Sequence, residues 1–96
     1  MSALTVAVGI GQQVHAARKA RGLSVARLAR LARTSQHTVI ALERGLVPAR
    51  FETLARLGAV LGFDERELFE LWWAARRAED LTSQVALEYD DKGRDA

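Results

Sequence analysis

The sequence predicts an all-α fold of five helices, and three observations support this prediction. Apolar residues recur at spacings of three and four along five segments of the 96-residue chain. Serine or aspartate precedes three of these segments, where a side chain can cap a helix N-terminus. Glycine follows three of them, where helices commonly end. No apolar run approaches the roughly 18 residues that a membrane-spanning helix needs.

The first three helices are short and closely spaced. The first is expected over 10–21, with Gly22 at its end. Ser24 is the expected cap of the second helix, and Ser35 is the expected cap of the third, which stops at Gly45. Their inward faces are apolar at helical spacing: Ile10, Val14, Ala17, Val25, Leu28, Ala29, Ala32, Val39 and Leu42.

The fourth and fifth helices carry the aromatic residues of the core. The fourth starts near Arg50 and ends at Gly62, and the fifth follows an Asp64 cap. The fourth packs through Phe51, Leu54, Leu57, Gly58 and Leu61, and the main stripe of the fifth is Leu68, Leu71, Trp72 and Ala75. Phe69 and Trp73 form a second stripe, which predicts a partner or a neighbouring segment that covers it.

The two ends of the chain are assigned by composition. Residues 1–9 are expected to be an N-terminal arm, apolar but without the basic leader of a signal peptide. Within this arm 4–8 is β-prone, and so is 84–89, so short strands that pair within or between chains are expected. Residues 64–89 are assigned to the last helix and a dimerisation segment, and 90–96 to a disordered tail.

Charge is unevenly distributed along the chain. Residues 1–63 contain nine basic and two acidic groups, a net charge of +7, whereas 64–96 contain five basic and ten acidic groups, a net charge of −5. A basic region of this kind suits a polyanion such as nucleic acid, although it also fits a solvated charged surface. The chain has no cysteine, which permits a cytoplasmic location and excludes disulfides.

The segment 22–45 has the build of a helix-turn-helix, whose second helix can lie in the major groove of DNA. Over 11–63 the chain resembles the Cro and lambda-repressor-like (XRE-type) helix-turn-helix family. The matching motifs are Arg-Lys-Ala-Arg-Gly-Leu-Ser at 18–24, Leu28-Ala29, the stretch from Ser35 to Gly45, Phe51-Glu52-Thr53-Leu54, and Leu61-Gly62. The resemblance implies a lambda-repressor-like fold with a DNA-binding domain over 10–63.

Three positions depart from the pattern of this family. Val25 stands where the family often has a glutamine that bonds a phosphate, so that contact should be absent. Ala49 directly precedes the fourth helix's cap, where the loop proline is usual. Arg33 stands in the turn where glycine is common. Arg33 must therefore accept a left-handed backbone, at about 1 kcal/mol, or the turn must be reshaped.

The resemblance implies which residues face DNA. The N-terminal half of the third helix supplies the base contacts: Ser35, Gln36, His37, Ile40 and Ala41. Gln36 can pair bidentately with adenine, His37 can donate to a guanine acceptor or a phosphate, and Ala41 can touch a thymine methyl. The expected phosphate contacts are Arg27, Arg44 and Arg50. An exposed polar helix face is the alternative interpretation of the same residues.

The remaining charged groups have structural interpretations. The resemblance implies an ion pair between Arg18 and Glu43, which would make Arg18 structural. The acidic cluster of Asp64, Glu65, Glu67 and Glu70 fits the charge preference of a helix N-terminus. His15 and His37 are too few for a metal site without cysteine. We expect no enzyme activity, metal or cofactor.

These observations predict a sequence-specific transcriptional regulator of double-stranded DNA. The expected form is a repressor that binds a palindromic operator as a homodimer, with Phe69, Trp72 and Trp73 in the dimer interface. The alternative is an antitoxin that binds its toxin through the C-terminal part and regulates its own promoter. A third interpretation is an accessory module of a larger complex, with weak DNA binding.

Overall fold

Five α-helices make up the described part of the chain. A computed structural model describes residues 3–77, with side chains from residue 6 onward. The helices are α1 (Ala3–Ala20), α2 (Val25–Leu31), α3 (Gln36–Glu43), α4 (Phe51–Leu61) and α5, which is helical over 65–77. No strand occurs between residues 3 and 77. The five-helix, all-α prediction is therefore confirmed.

The N-terminal segment is helical, and the strand predicted for 4–8 is wrong. Residues 3–9 form the first turns of α1 and do not precede it as a separate arm. Val6, Ala7 and Ile10 are buried at helical spacing, so the segment gains more by extending the helical apolar face than by its β propensity. The segments 84–89 and 90–96 lie outside the described residues.

The core lies between α1, α2, α3 and α4. α1 packs on α3 and α4, and α2 packs on α3 and α4. The largest fully buried side chains come from the first four helices: Ile10, Val14, Leu28, Val39, Leu42, Leu54 and Leu57. The predicted caps are confirmed, since the Ser24 Oγ accepts from the Arg27 N–H and the Ser35 Oγ accepts from the Thr38 N–H.

Each of the first four helices is followed by a residue with a left-handed backbone. Three of these residues are glycines, Gly22, Gly45 and Gly62, with φ values of 67°, 104° and 80°. At the end of α2 the residue is Arg33, with φ of 57°. The turn between α2 and α3 thus keeps the left-handed form and is not reshaped by the arginine.

α5 packs on the rest of the domain through the buried Leu68 and Ala75, through aromatic contacts and through a hydrogen bond from Trp72. The Trp72 indole Nε1 donates to the Pro48 carbonyl at 3.0 Å. The Phe51 and Phe69 rings meet edge to face with 5.1 Å between their centroids, and Phe51 also contacts Trp72. Trp73, in contrast, leaves 54% of its surface exposed.

Candidate nucleic-acid interface

The N-terminus of α3 is fixed by its cap and open to solvent. The Ser35 Oγ accepts from the Thr38 N–H at 3.1 Å and lies 2.9 Å from the Thr38 Oγ1. Gln36 and His37 follow directly and are exposed. Because the backbone of this turn is held by the cap, the two polar side chains project from a defined helix end.

Farther along α3, one face is buried and the other remains accessible. Val39 and Leu42 are fully buried. Ile40 keeps 38% of its surface exposed, and Ala41 is half-buried. Four of the five residues predicted to touch bases therefore lie on the solvent side of α3: the polar Ser35, Gln36 and His37, followed by the apolar Ile40. Ala41 lies at the edge of that face.

The predicted phosphate contacts lie on three different elements around α3. Arg27 lies in the first turn of α2, Arg44 follows α3, and Arg50 precedes α4. All three are exposed, as are Arg30 and Arg33. Of the two acidic residues among the first 63, Glu43 is paired inside the protein with Arg18 and only Glu52 is exposed, so this surface is positively charged. Such a surface can attract a polyanion.

The C-terminus of α3 is anchored by an internal ion pair. Arg18 has only 6% of its surface exposed, and its Nε donates to the Glu43 Oε2 at 2.9 Å. Its Nη2 donates to the Glu43 Oε1 at 3.0 Å, and its Nη1 donates to the Leu23 carbonyl at 2.8 Å. All three guanidinium nitrogens are therefore engaged inside the protein, and Arg18 joins α1 to α3.

Electrostatics around this pair favour its ionised form. Burial acts to raise the pKa of Glu43. The hydrogen bonds and charges of Arg18 and His15 outweigh this effect, so the pKa of Glu43 lies below its ordinary value. The hydrogen bond with Glu43 raises the pKa of Arg18. His15 Nδ1 also contacts the Glu43 Oε1, a contact that the sequence did not predict.

A glycine brings α1 and α3 together, and sequence reasoning missed its role. A Cβ placed on Gly11 would lie 2.3 Å from the Leu42 carbonyl oxygen and 3.1 Å from that of Glu43. These are backbone atoms at the end of α3, so they cannot rotate away. A glycine inside an amphipathic helix is the signal that could have indicated this close approach.

Between residues 3 and 77, no group of three or more histidine, cysteine, aspartate or glutamate side chains could hold a metal ion. No helix in that part of the chain is long and apolar enough to cross a membrane.

Comparisons with known proteins identify the family. The family model described as "Helix-turn-helix domain" matches residues 10–71. The crystal structure of the clp gene regulator ClgR from Corynebacterium glutamicum is similar in fold, with 22% identity, a TM-score of 0.58, and coverage of 88% of this chain and 93% of that chain. None of the curated proteins matches the chain. Because the family match spans more than half of the sequence, the chain belongs to the XRE-type helix-turn-helix family.

Proposed function

We propose that the protein is a sequence-specific DNA-binding transcriptional regulator, and that it acts by binding and not by catalysis. One observation carries the proposal: the capped, exposed N-terminal half of α3 lies among exposed arginines of three neighbouring elements. This is the arrangement in which a recognition helix enters the major groove while cations bind the flanking phosphates. The family and the likeness to a clp gene regulator support the same function.

Base recognition is assigned to the exposed side chains of α3. Gln36 has an amide that can donate to and accept from adenine, which makes it the main determinant of the sequence that is bound. His37 donates to a guanine acceptor or to a phosphate. Ile40 and Ala41 offer apolar surface to a thymine methyl. Arg27, Arg44 and Arg50 supply affinity through phosphates, without regard to sequence.

The regulator is proposed to bind a palindromic operator as a homodimer. Phe69 and Trp73 are exposed on α5, and large aromatic residues of this kind are common at the centres of interfaces. Trp72 belongs to the same proposed interface; it is half-buried, and its indole Nε1 donates to the Pro48 carbonyl of its own chain. A two-fold dimer would present two α3 helices about 34 Å apart, the distance between successive major grooves. Repression follows if the operator overlaps a promoter.

Selection of bound sites from random duplex DNA tests the proposal. The wild type should enrich a two-fold symmetric site, and its affinity should fall by about 10³–10⁵ between 50 and 200 mM salt if 6–10 phosphates are neutralised. Gln36→Ala should lose about 1–3 kcal/mol of discrimination at one base pair per half-site. Its binding to random DNA should hardly change. A wild type that enriches no sequence would contradict the proposal.

Sedimentation of Trp73→Arg tests the assembly. We expect a wild-type dimer and a monomeric variant, because a charge in the centre of an apolar interface is not solvated. A wild type that is monomeric at micromolar concentration would contradict the dimer. It would favour the antitoxin alternative, in which the same α5 surface binds a toxin encoded by a neighbouring gene.

A further inference from the structure

The turn before α3 contains a strained backbone conformation that is absent from the ends of α1, α3 and α4. Glycine occupies the left-handed position after α1, α3 and α4, where it costs nothing sterically. After α2 the position belongs to Arg33, whose Cβ disfavours this backbone. Among the described residues, Arg33 is the one non-glycine residue with positive φ. Something must hold this turn in place, because α3 starts three residues later.

Part of the restraint comes from the backbone itself. The Arg33 N–H donates to the Arg30 carbonyl at 3.2 Å, and the Thr34 N–H donates to the Ala29 carbonyl at 2.9 Å. This pair of bonds closes the end of α2 and is usual for helices that end in a left-handed residue. The glycine ends after α1 and α3 have the same two bonds. The backbone alone therefore does not distinguish the strained end from the unstrained ones.

A side chain from α4 supplies a further restraint at the strained end. The Arg56 Nε donates to the Ala32 carbonyl at 2.9 Å, on the peptide that leads directly into Arg33. The Arg56 Nη1 is in turn paired with the Glu52 Oε1 at 2.6 Å, one helical turn earlier on α4. Two of the three guanidinium nitrogens are thus engaged within the protein, and the side chain is aimed at the turn and not outward.

We propose that Arg56 is a positioning residue for α3: by holding the Ala32 carbonyl it offsets the strain of the left-handed Arg33 and fixes the turn from which α3 starts. Glu52 orients the guanidinium for this bond. Arg56 therefore acts on DNA recognition through the geometry of the turn and does not itself contact a phosphate. The DNA part of this inference rests on the proposed function, but its structural part does not.

Hydrogen exchange of the Thr34 amide tests the structural part without DNA. In Arg56→Met the exchange of this amide should accelerate about tenfold while the slowest core amides change much less, since a local opening is made easier. Arg30→Met is the matched control, because it removes an exposed arginine from the same region. It should leave the Thr34 amide unchanged. Arg56→Lys keeps a donor and should recover part of the protection.

The background Arg33→Gly separates strain relief from ordinary bonding. Glycine has no strain to offset at this position, so the double variant Arg33→Gly/Arg56→Met should regain most of the protection that Arg56→Met loses, and its Thr34 amide should exchange within about threefold of the wild-type rate. A double variant that exchanges as fast as Arg56→Met, or an Arg56→Met variant that exchanges no faster than the wild type, would overturn the inference. If Arg56→Met proves too unstable alone, the double variant should still fold, because Arg33→Gly removes the strain that Arg56 offsets; a double variant that is equally unstable would also overturn the inference.

DNA binding provides the second measurement. Arg56→Met should weaken binding to the selected site about tenfold and random DNA by no more than about twofold, with the slope of affinity against salt unchanged. If both affinities fall and the slope decreases by about one, Arg56 contacts a phosphate and the inference is wrong. A wild type that selects no site would contradict the proposed function, whereas the exchange result would still decide the role of Arg56 in the turn.

Discussion

The two ends of α3 are held in different ways. At the C-terminal end, Gly11 brings the α1 backbone against the last carbonyls, and the buried Arg18 pairs with Glu43. At the N-terminal end the serine cap is local, and Gln36 and His37 face solvent. The helix is thus anchored at the end that is buried in the domain, and its free end is left for recognition. Rigid support behind an exposed site is what binding specificity requires.

Loss of the anchor should have the largest effect on stability. Arg18→Ala leaves the Glu43 carboxylate without its main partner, which should lower the free energy of unfolding by about 3–5 kcal/mol. Thermal or urea unfolding measures this change. Lys19→Ala is the matched control, since it removes an exposed neighbouring cation and should change stability by less than about 0.5 kcal/mol. A normal melting curve for Arg18→Ala with weakened DNA binding would instead show a DNA contact.

Separating α1 from α3 should have the next largest effect. In Gly11→Ala the new methyl meets two backbone carbonyls of α3, and overpacking of this kind costs about 1–3 kcal/mol or more. Gly9→Ala is the matched control on the same helix, because a Cβ there has nothing within 4 Å. It should be neutral or stabilise the helix by up to about 1 kcal/mol. Gly11→Ala should therefore lower the unfolding midpoint and Gly9→Ala should leave it unchanged or raise it, and equal shifts would contradict the close approach.

Removal of the cap tests the exposed end of α3. Ser35→Ala should cost about 1 kcal/mol, because the Thr38 N–H loses its acceptor. Ser24→Ala removes the equivalent bond to the Arg27 N–H in α2 and should cost a similar amount. Only Ser35→Ala should also change the preferred DNA sequence, since its cap orients Gln36 and His37. Identical site preferences for both variants would show that the α3 cap contributes only to stability.

Acid should produce the smallest effect, confined to a narrow pH range. The pKa of Glu43 is lower in the folded chain than its ordinary value of 4.5, so the folded state binds this proton less readily than the unfolded state. The stability that this group contributes is present above about pH 4.5 and is lost as the pH falls through the lowered pKa. Unfolding free energies measured below pH 4.5 should therefore fall more steeply for the wild type than for Glu43→Gln. Parallel curves would exclude the contribution.

Much of the fold could be predicted from local sequence patterns, and the family resemblance predicted the ion pair between Arg18 and Glu43. The caps at Ser24 and Ser35 and the glycine ends depend on neighbouring residues, so the sequence reveals them directly. Arg56 could not be predicted in the same way, because its bond to the Ala32 carbonyl joins residues 24 apart and depends on how α2 and α4 pack. The helical start at 3–9 was missed because packing overrode β propensity.

Because Trp72 is hydrogen-bonded to the Pro48 carbonyl, its fluorescence can show whether α5 is attached to the rest of the domain. Both tryptophans of the chain, Trp72 and Trp73, lie on α5, and α3 has none. Trp72 is half-buried against the loop that leaves α3, whereas Trp73 faces solvent. Intrinsic fluorescence therefore reports the attachment of α5, while far-ultraviolet circular dichroism reports all the helices. An emission change that precedes the loss of ellipticity would identify α5 as the first part of the molecule to detach.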